Sequence, residues 1–173
     1  KIIAISEIQK KELSELHNIC SPKKIEVIPL GFDLEKFKTN KDIKRKEFRN
    51  KWNINDNEIA IGIIGRLVPI KNHKFFIDSI QQILTKSNMP IRAFIVGDGE
   101  EKENLFKYLN LKNLDFSQDS NRATFQFTSW IKEIDEVNAG MDIVCLCSLN
   151  EGTPVSLIEA QASGKPIVST KTG

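Results

Sequence analysis

Two carboxylates eight positions apart, Glu151 and Glu159, bracket a glycine, a threonine and a proline in the segment Glu151-Gly-Thr-Pro-Val-Ser-Leu-Ile-Glu159. Gly152, Thr153 and Pro154, running into Val155 and Ser156, are the residue types that open a helix. The first turn of a helix leaves backbone N–H groups without partners and carries the positive end of the macrodipole, a setting that suits a phosphate. Proline fits that turn, because the N–H it lacks would have had no partner there. Carboxylates flanking such an anion pocket accept hydrogen bonds from hydroxyls. Phosphate beside hydroxyl acceptors points to a nucleotide-sugar ahead of a bare nucleotide.

Three other loops carry residues suited to the same ligand. In Gly65-Arg-Leu-Val-Pro-Ile-Lys71 the glycine lets backbone approach a ligand, Arg66 can grip phosphate oxygens bidentately and Lys71 acts as a point charge. An isolated pair of this kind defaults to ordinary surface cations; its place after a core strand puts the two readings level. Val96-Gly97-Asp98-Gly99 lacks the third glycine of the dinucleotide fingerprint, so a tight turn with Asp98 near the cap of the next helix is the plainer reading, with backbone approach to a ligand at Gly97 as the alternative. In Thr128-Ser129-Trp130-Ile131, Ser129 reads as a helix cap and Trp130 as a packing residue, the alternative being a base lying across the strand end. His17 and His73 lack the partners of a nucleophilic triad. Cys145 and Cys147, two apart in an apolar strand, read as packed thiols on one face, and with Cys20 they complete no zinc spacing.

The elements that must position these loops alternate along the chain. Ile2 to Ile5 forms a strand, and Ser6-Glu-Ile-Gln9 has the form of a capping box for a helix that sends Leu13, Leu16 and Cys20 to a core. Ile25 to Leu30 is a second strand, ending in the turn Pro29–Asp33. A charged helix over 41–52 and a loop over 53–57 follow. Strands are then expected at 59–64, 91–96, 124–127, 142–147 and 166–169, alternating with helices at 72–87, 100–109, 131–139 and 154–163, and with an irregular polar connection at 115–122. Short apolar strands between amphipathic helices give an α/β, doubly wound parallel sheet of Rossmann-like type, whose ligand sits beyond the carboxyl ends of the strands. Residues 1–33 read as the tail of a preceding lobe and 34–173 as the ligand-binding lobe, with the exit loop Lys171-Thr-Gly173 leading toward a further helix.

At 173 residues, 40% of them hydrophobic, the chain is long enough to bury a core, and its net charge of +2 selects no partner class. The basic run over 36–51 is interleaved with Glu35, Asp42 and Glu47, which favours a solvated helix face, with peripheral membrane contact as the minority option. Nucleic acid is disfavoured because that run has few aromatics to stack on bases. No run approaches a membrane span, Lys1-Ile-Ile-Ala is no signal peptide, and the cysteine usage fits a reducing cytoplasm.

Taken in order, Gly65-Arg-Leu-x-Pro-x-Lys71-Asn, Val96-Gly-Asp-Gly99 and Ser148-x-x-Glu-Gly-x-Pro-x-x-Leu-x-Glu-Ala160 resemble the donor-binding, C-terminal lobe of the group 1 (family 4) retaining glycosyltransferases, enzymes of two-lobed GT-B architecture. Ile5-Ser-Glu and Ile28-Pro-Leu-Gly-Phe-Asp33 resemble that family's interlobe crossing. The resemblance implies that Arg66 and Lys71 bind the diphosphate of the donor and stabilise it as it leaves. It implies that Glu151 contacts the sugar hydroxyls and that Glu159 holds the ribose. It gives the backbone from Gly152 and Thr153 through Ser156, with Gly65 and Gly97, to the phosphates or sugar, and Trp130 and Ile131 to the base. It implies a nucleotide-sugar donor, UDP- or GDP-linked, no cofactor and no metal, in keeping with the absence of any Asp-x-Asp. It implies an acceptor, whether a glycan, a lipid-linked molecule or a small molecule, held by the other lobe, in the cytoplasm or at the inner face of the membrane. Same-face attack is expected, with Glu151 disfavoured as a nucleophile. Cys147 stands where family members often have proline. The rivals are an NAD(P)-dependent oxidoreductase domain, a non-catalytic nucleotide-binding module and, as a lesser option, a sugar-nucleotide epimerase. Gly65-Arg-Leu, without the glycine triplet, opposes the first of them.

Overall fold

The computed structural model describes residues 1–172, so Gly173 of the expected exit loop lies outside the described residues. The chain divides into two compact units, Lys1–Asp33 and Leu34–Gly173. In the first, strands β1 (Ile2–Ala4) and β2 (Ile25–Val27) pair in parallel, Ile2 opposite Ile25. Helix α1 (Glu7–Lys11) runs on into a π-helical turn, Glu12–Leu16. The Ser6 hydroxyl caps α1 by accepting from the Gln9 N–H at 3.1 Å, but the Gln9 side chain accepts from Ile5 N–H and not from Ser6, so the capping box is shifted by one residue. Leu16, expected to face a core, is 70% exposed; the π turn adds a residue to the helical repeat and rotates it outward.

The second unit contains helices α2 (Glu35–Lys38) and α3 (Lys41–Lys51), then β3 (Ile59–Ile64), α4 (His73–Lys86), β4 (Ile91–Val96), α5 (Lys102–Leu111), β5 (Phe116–Ser117) and β6 (Phe125–Phe127). It continues with α6 (Ile134–Gly140), β7 (Ile143–Leu146), α7 (Val155–Ala162) and β8 (Ile167–Ser169). The six strands are all parallel, in the order β5-β6-β4-β3-β7-β8. Successive side chains of a strand point to opposite faces, so isoleucine-rich runs serve two cores at once. Ile61, Ile63, Ile95 and Phe125 meet Phe76, Ile77 and Ile80 of α4 and Leu105 and Leu109 of α5. On the other face Ile64, Phe94 and Val144 meet Phe48 and Trp52 of α3 and Val137 of α6. Cys145 and Cys147 both lie on the α4–α5 face, as the period of two requires.

Two expectations are corrected. The polar stretch 115–122 is not wholly irregular: Phe116–Ser117 adds an edge strand, with Phe116 stacked on Phe106 at 4.9 Å between centroids. The basic helix α3 is not simply a solvated face, because Arg49 is 5% exposed and, with Arg45, salt-bridges Asp142.

The topology sets the site. After β3 the chain moves to one side through β4; β7 lies on the other side of β3. The crevice at such a switch point opens beyond the carboxyl ends of these two neighbours, where the loops from Gly65 and from Cys147 emerge.

Candidate functional site

The loop after β3 is shaped locally. Pro69–Lys71 makes one 3₁₀ turn with Pro69 at its start, and Asn72 takes a left-handed conformation (φ 52) before α4 begins. This loop meets the one after β7 directly: Leu149 N–H donates to Ile70 C=O at 2.9 Å. Lys71 Nζ lies 2.5 Å from Glu151 Oε1, and the Ser148 hydroxyl donates to the same oxygen at 2.6 Å. Ser148 is set in turn by Thr170, whose hydroxyl donates to Ser148 C=O at 2.7 Å. The Lys71 and Glu151 side chains are 24% and 10% exposed, so their attraction acts at reduced dielectric. Both donors converge on Oε1; among the described residues Oε2 accepts nothing. Arg66, at the start of the same loop as Lys71, is exposed, and its guanidinium has no hydrogen-bond or ion-pair partner among the described residues.

Gly65 and Gly97 close the neighbouring strand ends against each other. Gly65 N–H donates to Val96 C=O at 2.9 Å, and a Cβ on Gly97 would fall 2.0 Å from the Gly65 carbonyl oxygen, so only glycine fits there. Gly97 N–H donates to Ser129 C=O at 3.0 Å, which ties in the third loop. Ser129 does not cap the following helix, which starts only at Ile134 with Glu133 at its cap position. Trp130 does not pack away: it is 60% exposed. Among the described residues the main-chain groups of Trp130 and Ile131 make no hydrogen bond.

At the start of α7, Pro154 is the cap residue and Val155 the first helical one, a step later than expected. Val155 N–H turns back to Thr153 C=O at 2.9 Å, while the N–H groups of Gly152, Thr153 and Ser156 are unpaired among the described residues. One turn further on, the Glu159 carboxylate is half-buried and, among the described residues, has no hydrogen-bond partner; burial pushes its pKa up, and the nearby Lys36 opposes that shift. Among the described residues no hydrogen bond joins Glu159 to Glu151. The structure thus brings together Gly65, Lys71, Gly97, Glu151 and the loop before Trp130 through direct contacts, and leaves Arg66 and Glu159 open.

Sequence reasoning did not single out Ser148, Thr170 or Lys102 as site residues. A hydroxyl three positions before Glu151 was the signal for Ser148; Lys102 reaches in from the first turn of α5 and Thr170 from the end of β8. His73 is buried and held neutral, its pKa lowered to about 4 by burial and by Lys71, which suits packing beside the loop. Burial drives the Cys145 and Cys147 thiols up to about 12 and about 11, so neither is a nucleophile at neutral pH.

The chain is similar in sequence and fold to known proteins. The chain is 34% identical over 171 residues, 95% of its length, to a UDP-Gal:alpha-D-GlcNAc-diphosphoundecaprenol alpha-1,3-galactosyltransferase of Escherichia coli, covering 41% of that protein. A D-inositol 3-phosphate glycosyltransferase of Rhodococcus erythropolis is 25% identical over 175 residues, 100% of this chain and 38% of that one. The chain therefore spans about two fifths of the length of these curated relatives. The crystal structure of Anabaena HepE in complex with UDP and glucose matches with a TM-score of 0.80 at 25% identity, over 99% of this chain and 44% of that one. The C-terminal domain of a Francisella tularensis glycosyl transferase group 1 family protein shares the fold at a TM-score of 0.64 and 24% identity, over 83% of this chain and 72% of that one. The family profile of the glycosyl transferases of group 1 matches residues 44–173, and the chain belongs to that family, its six-stranded sheet forming a Rossmann-like lobe of the GT-B fold.

Proposed function

We propose that the carboxyl end of the sheet is the donor site of a retaining hexosyltransferase, which transfers a sugar from a nucleoside diphosphate to an acceptor. The observation that carries this reading is the Lys71–Glu151 pair at the switch point, on loops that also carry Arg66 and, among the described residues, the unpaired N–H groups of Gly152, Thr153 and Ser156. Glycosyl transfer builds positive charge on the sugar and negative charge on the departing diphosphate. Arg66, Lys71 and the start of α7 meet the negative part, and fixed donors aimed at growing charge favour the transition state over the ground state. Glu151, its Oε1 held by Lys71 and Ser148, keeps Oε2 for a sugar hydroxyl. A carboxylate pinned in this way is better suited to orient the sugar than to attack it. Glu159 accepts from the ribose, and the open main chain of Trp130 and Ile131 meets the base. Metal is not required, since the cations of the chain itself cover the diphosphate.

The relatives favour a uridine donor: one is named for UDP-galactose, and a solved structure holds UDP and glucose. The first is also named for a diphosphoundecaprenol acceptor, which supports a lipid-linked acceptor, bound by a second lobe to which residues 1–33 would lead. No helix of the described residues is long and apolar enough to cross a membrane. Work on a lipid-linked acceptor would bring the enzyme to the cytoplasmic face of a membrane. Calorimetric titration of the chain with UDP, GDP, ADP and NAD tests the reading. UDP is expected to bind; tight NAD binding with no response to any nucleoside diphosphate would sink it.

A further inference from the structure

Among the described residues, the non-glycine positions with positive φ are Asn18, Asn40, Asn53, Asn72, Asn113 and Ser129. Asparagine is the side chain that best tolerates this region, because its amide bonds locally to the backbone. Serine at φ 53 is the exception, and an unfavoured backbone conformation persists only where its surroundings over-determine it. Here they do. The Ser129 carbonyl accepts from Gly97 N–H at 3.0 Å, and its Oγ accepts from Lys102 Nζ at 3.1 Å. The same ammonium reaches Asp98 Oδ2 at 3.1 Å, while Asp98 Oδ1 accepts from Gly99 N–H at 2.8 Å. Burial alone would raise the Asp98 pKa, but the Gly99 N–H, Lys102 and the Ser129 hydroxyl outweigh it and hold the carboxyl low.

Helix stability does not account for Lys102. It is the first residue of α5, at the positive end of the macrodipole, where a cation is disfavoured. Its side chain is nonetheless folded in, 21% exposed, across two loops at the carboxyl end of the sheet. What the clamp controls lies next along the chain. The left-handed residue ends the pairing of β6 and turns Trp130 out to 60% exposure, leaving the main-chain N–H and C=O groups of Trp130 and Ile131 open.

We propose that Lys102 is a positioning residue for base recognition: by bridging Asp98 and Ser129 it fixes the strand end whose main-chain groups read the base of a nucleoside diphosphate. This rests on the donor-site reading above. Lys102 touches neither diphosphate nor sugar in that arrangement, so its loss acts on the base alone. The test is calorimetry of the full chain with UDP, GDP and inorganic pyrophosphate, on the wild type, Lys102→Met, Lys102→Arg and Ser129→Gly, with thermal unfolding of each. Lys102→Met is expected to weaken UDP about 10-fold, the scale of one charge-assisted hydrogen bond acting through its partner, with pyrophosphate held within about 2-fold and UDP-over-GDP preference narrowed. Lys102→Arg should restore most of the affinity, and Ser129→Gly, which keeps the backbone conformation but loses the tether, should lie in between. Equal loss of UDP and pyrophosphate, or unchanged UDP binding by a folded Lys102→Met, overturns the positioning role while leaving the donor site standing. A wild-type chain that binds no nucleoside diphosphate overturns the donor site, and this inference with it.

Discussion

The two ends of the sheet use charge in opposite ways. At the amino end, among the described residues, the arginines are engaged by the fold. Arg49 donates to Asn55 C=O at 2.5 Å, to Glu58 C=O at 2.9 Å and to Asp142 Oδ2 at 3.2 Å. Arg45 takes Asp142 Oδ1 at 2.7 Å, and Ala60 N–H donates to Oδ2 at 2.8 Å, so one carboxylate locks α3 to the start of β3 and of β7. Arg92, 2% exposed, donates to Asn53 C=O at 3.1 Å and reaches Gln126 Oε1 at 3.4 Å, and Arg122 pairs with Glu58 at 2.7 Å. At the carboxyl end Arg66 is free, three N–H groups near α7 are unpaired among the described residues, and Glu159 is half-buried alone. Buried polar groups are ordinarily satisfied because leaving them unpaired is costly. The amino end commits its arginines to carbonyls and carboxylates of the fold, although Arg92 Nε and Trp52 Nε1 stay unpartnered there among the described residues, whereas the carboxyl end leaves accessible donors and a carboxylate open to a ligand.

Substitutions at the two ends should separate along this line. The largest effect is expected from Arg49→Met, which removes a buried partner of Asp142 and of the Asn55 and Glu58 carbonyls: unfolding by denaturant should show a loss of about 3–5 kcal/mol. Arg66→Ala, at the other end, should change stability by less than about 0.5 kcal/mol. If Arg66→Ala proved as destabilising as Arg49→Met, the contrast between the ends would collapse. Next in size, Lys71→Ala should weaken UDP roughly 10- to 100-fold, the range of a charge-assisted hydrogen bond, while uridine is weakened far less. Equal weakening of both ligands would place Lys71 outside the diphosphate site.

Acid sharpens the comparison through two carboxylates with opposite shifts. Burial raises the Asp142 pKa, but Ala60 N–H, Arg45 and Arg49 overcome it and hold it below the usual value. A depressed folded pKa means stability that is present above the unfolded value, near 4, and lost as pH falls through the folded one. Glu159 is raised by burial, so the folded state binds its proton more tightly and stability falls as pH rises from the unfolded value through the folded one. Stability curves of Asp142→Asn and Glu159→Gln against pH should therefore depart from wild type in opposite senses: the first less stable at neutral pH, the second slightly more stable. The smallest effect expected is on binding by Glu159→Gln: several-fold weaker UDP with an unchanged affinity for a uridine diphosphate lacking the ribose hydroxyls. A matching loss for that analogue would remove Glu159 from the ribose.

Much of the frame was legible. Strands 59–64 and 91–96 stand where the residue pattern puts them, because each is a six-residue run rich in isoleucine, bounded by turn residues and covered on both faces. The loop positions of Arg66, Lys71 and the Glu151–Glu159 segment followed from those strands. Other features were out of reach. Phe116–Ser117 is a strand only because β6 offers it an edge. Arg92 and Gln126 look misplaced in apolar strands until Trp52, Asn53 and Asp119 supply their partners from elsewhere in the chain. Ser129 looked like a cap since serine usually is one; its left-handed backbone depends on Gly97 and Lys102, which no local pattern includes.

By itself the sequence determined the alternation of strand and helix, the parallel sheet and the loops that carry phosphate-binding and hydroxyl-binding residue types, because periodicity, caps and turns act over a few residues. Only the tertiary structure decided which charges are spent on the fold and which are held open. Lys71 and Glu151 lie 80 positions apart and Arg49 and Asp142 lie 93 apart, yet one pair stands at a crevice and the other in a closed seam. The difference is one of topology: reversal of strand order beside β3 opens the carboxyl end, while arginines of the face helix α3 reach Asp142 and Glu58 and tie up the amino end.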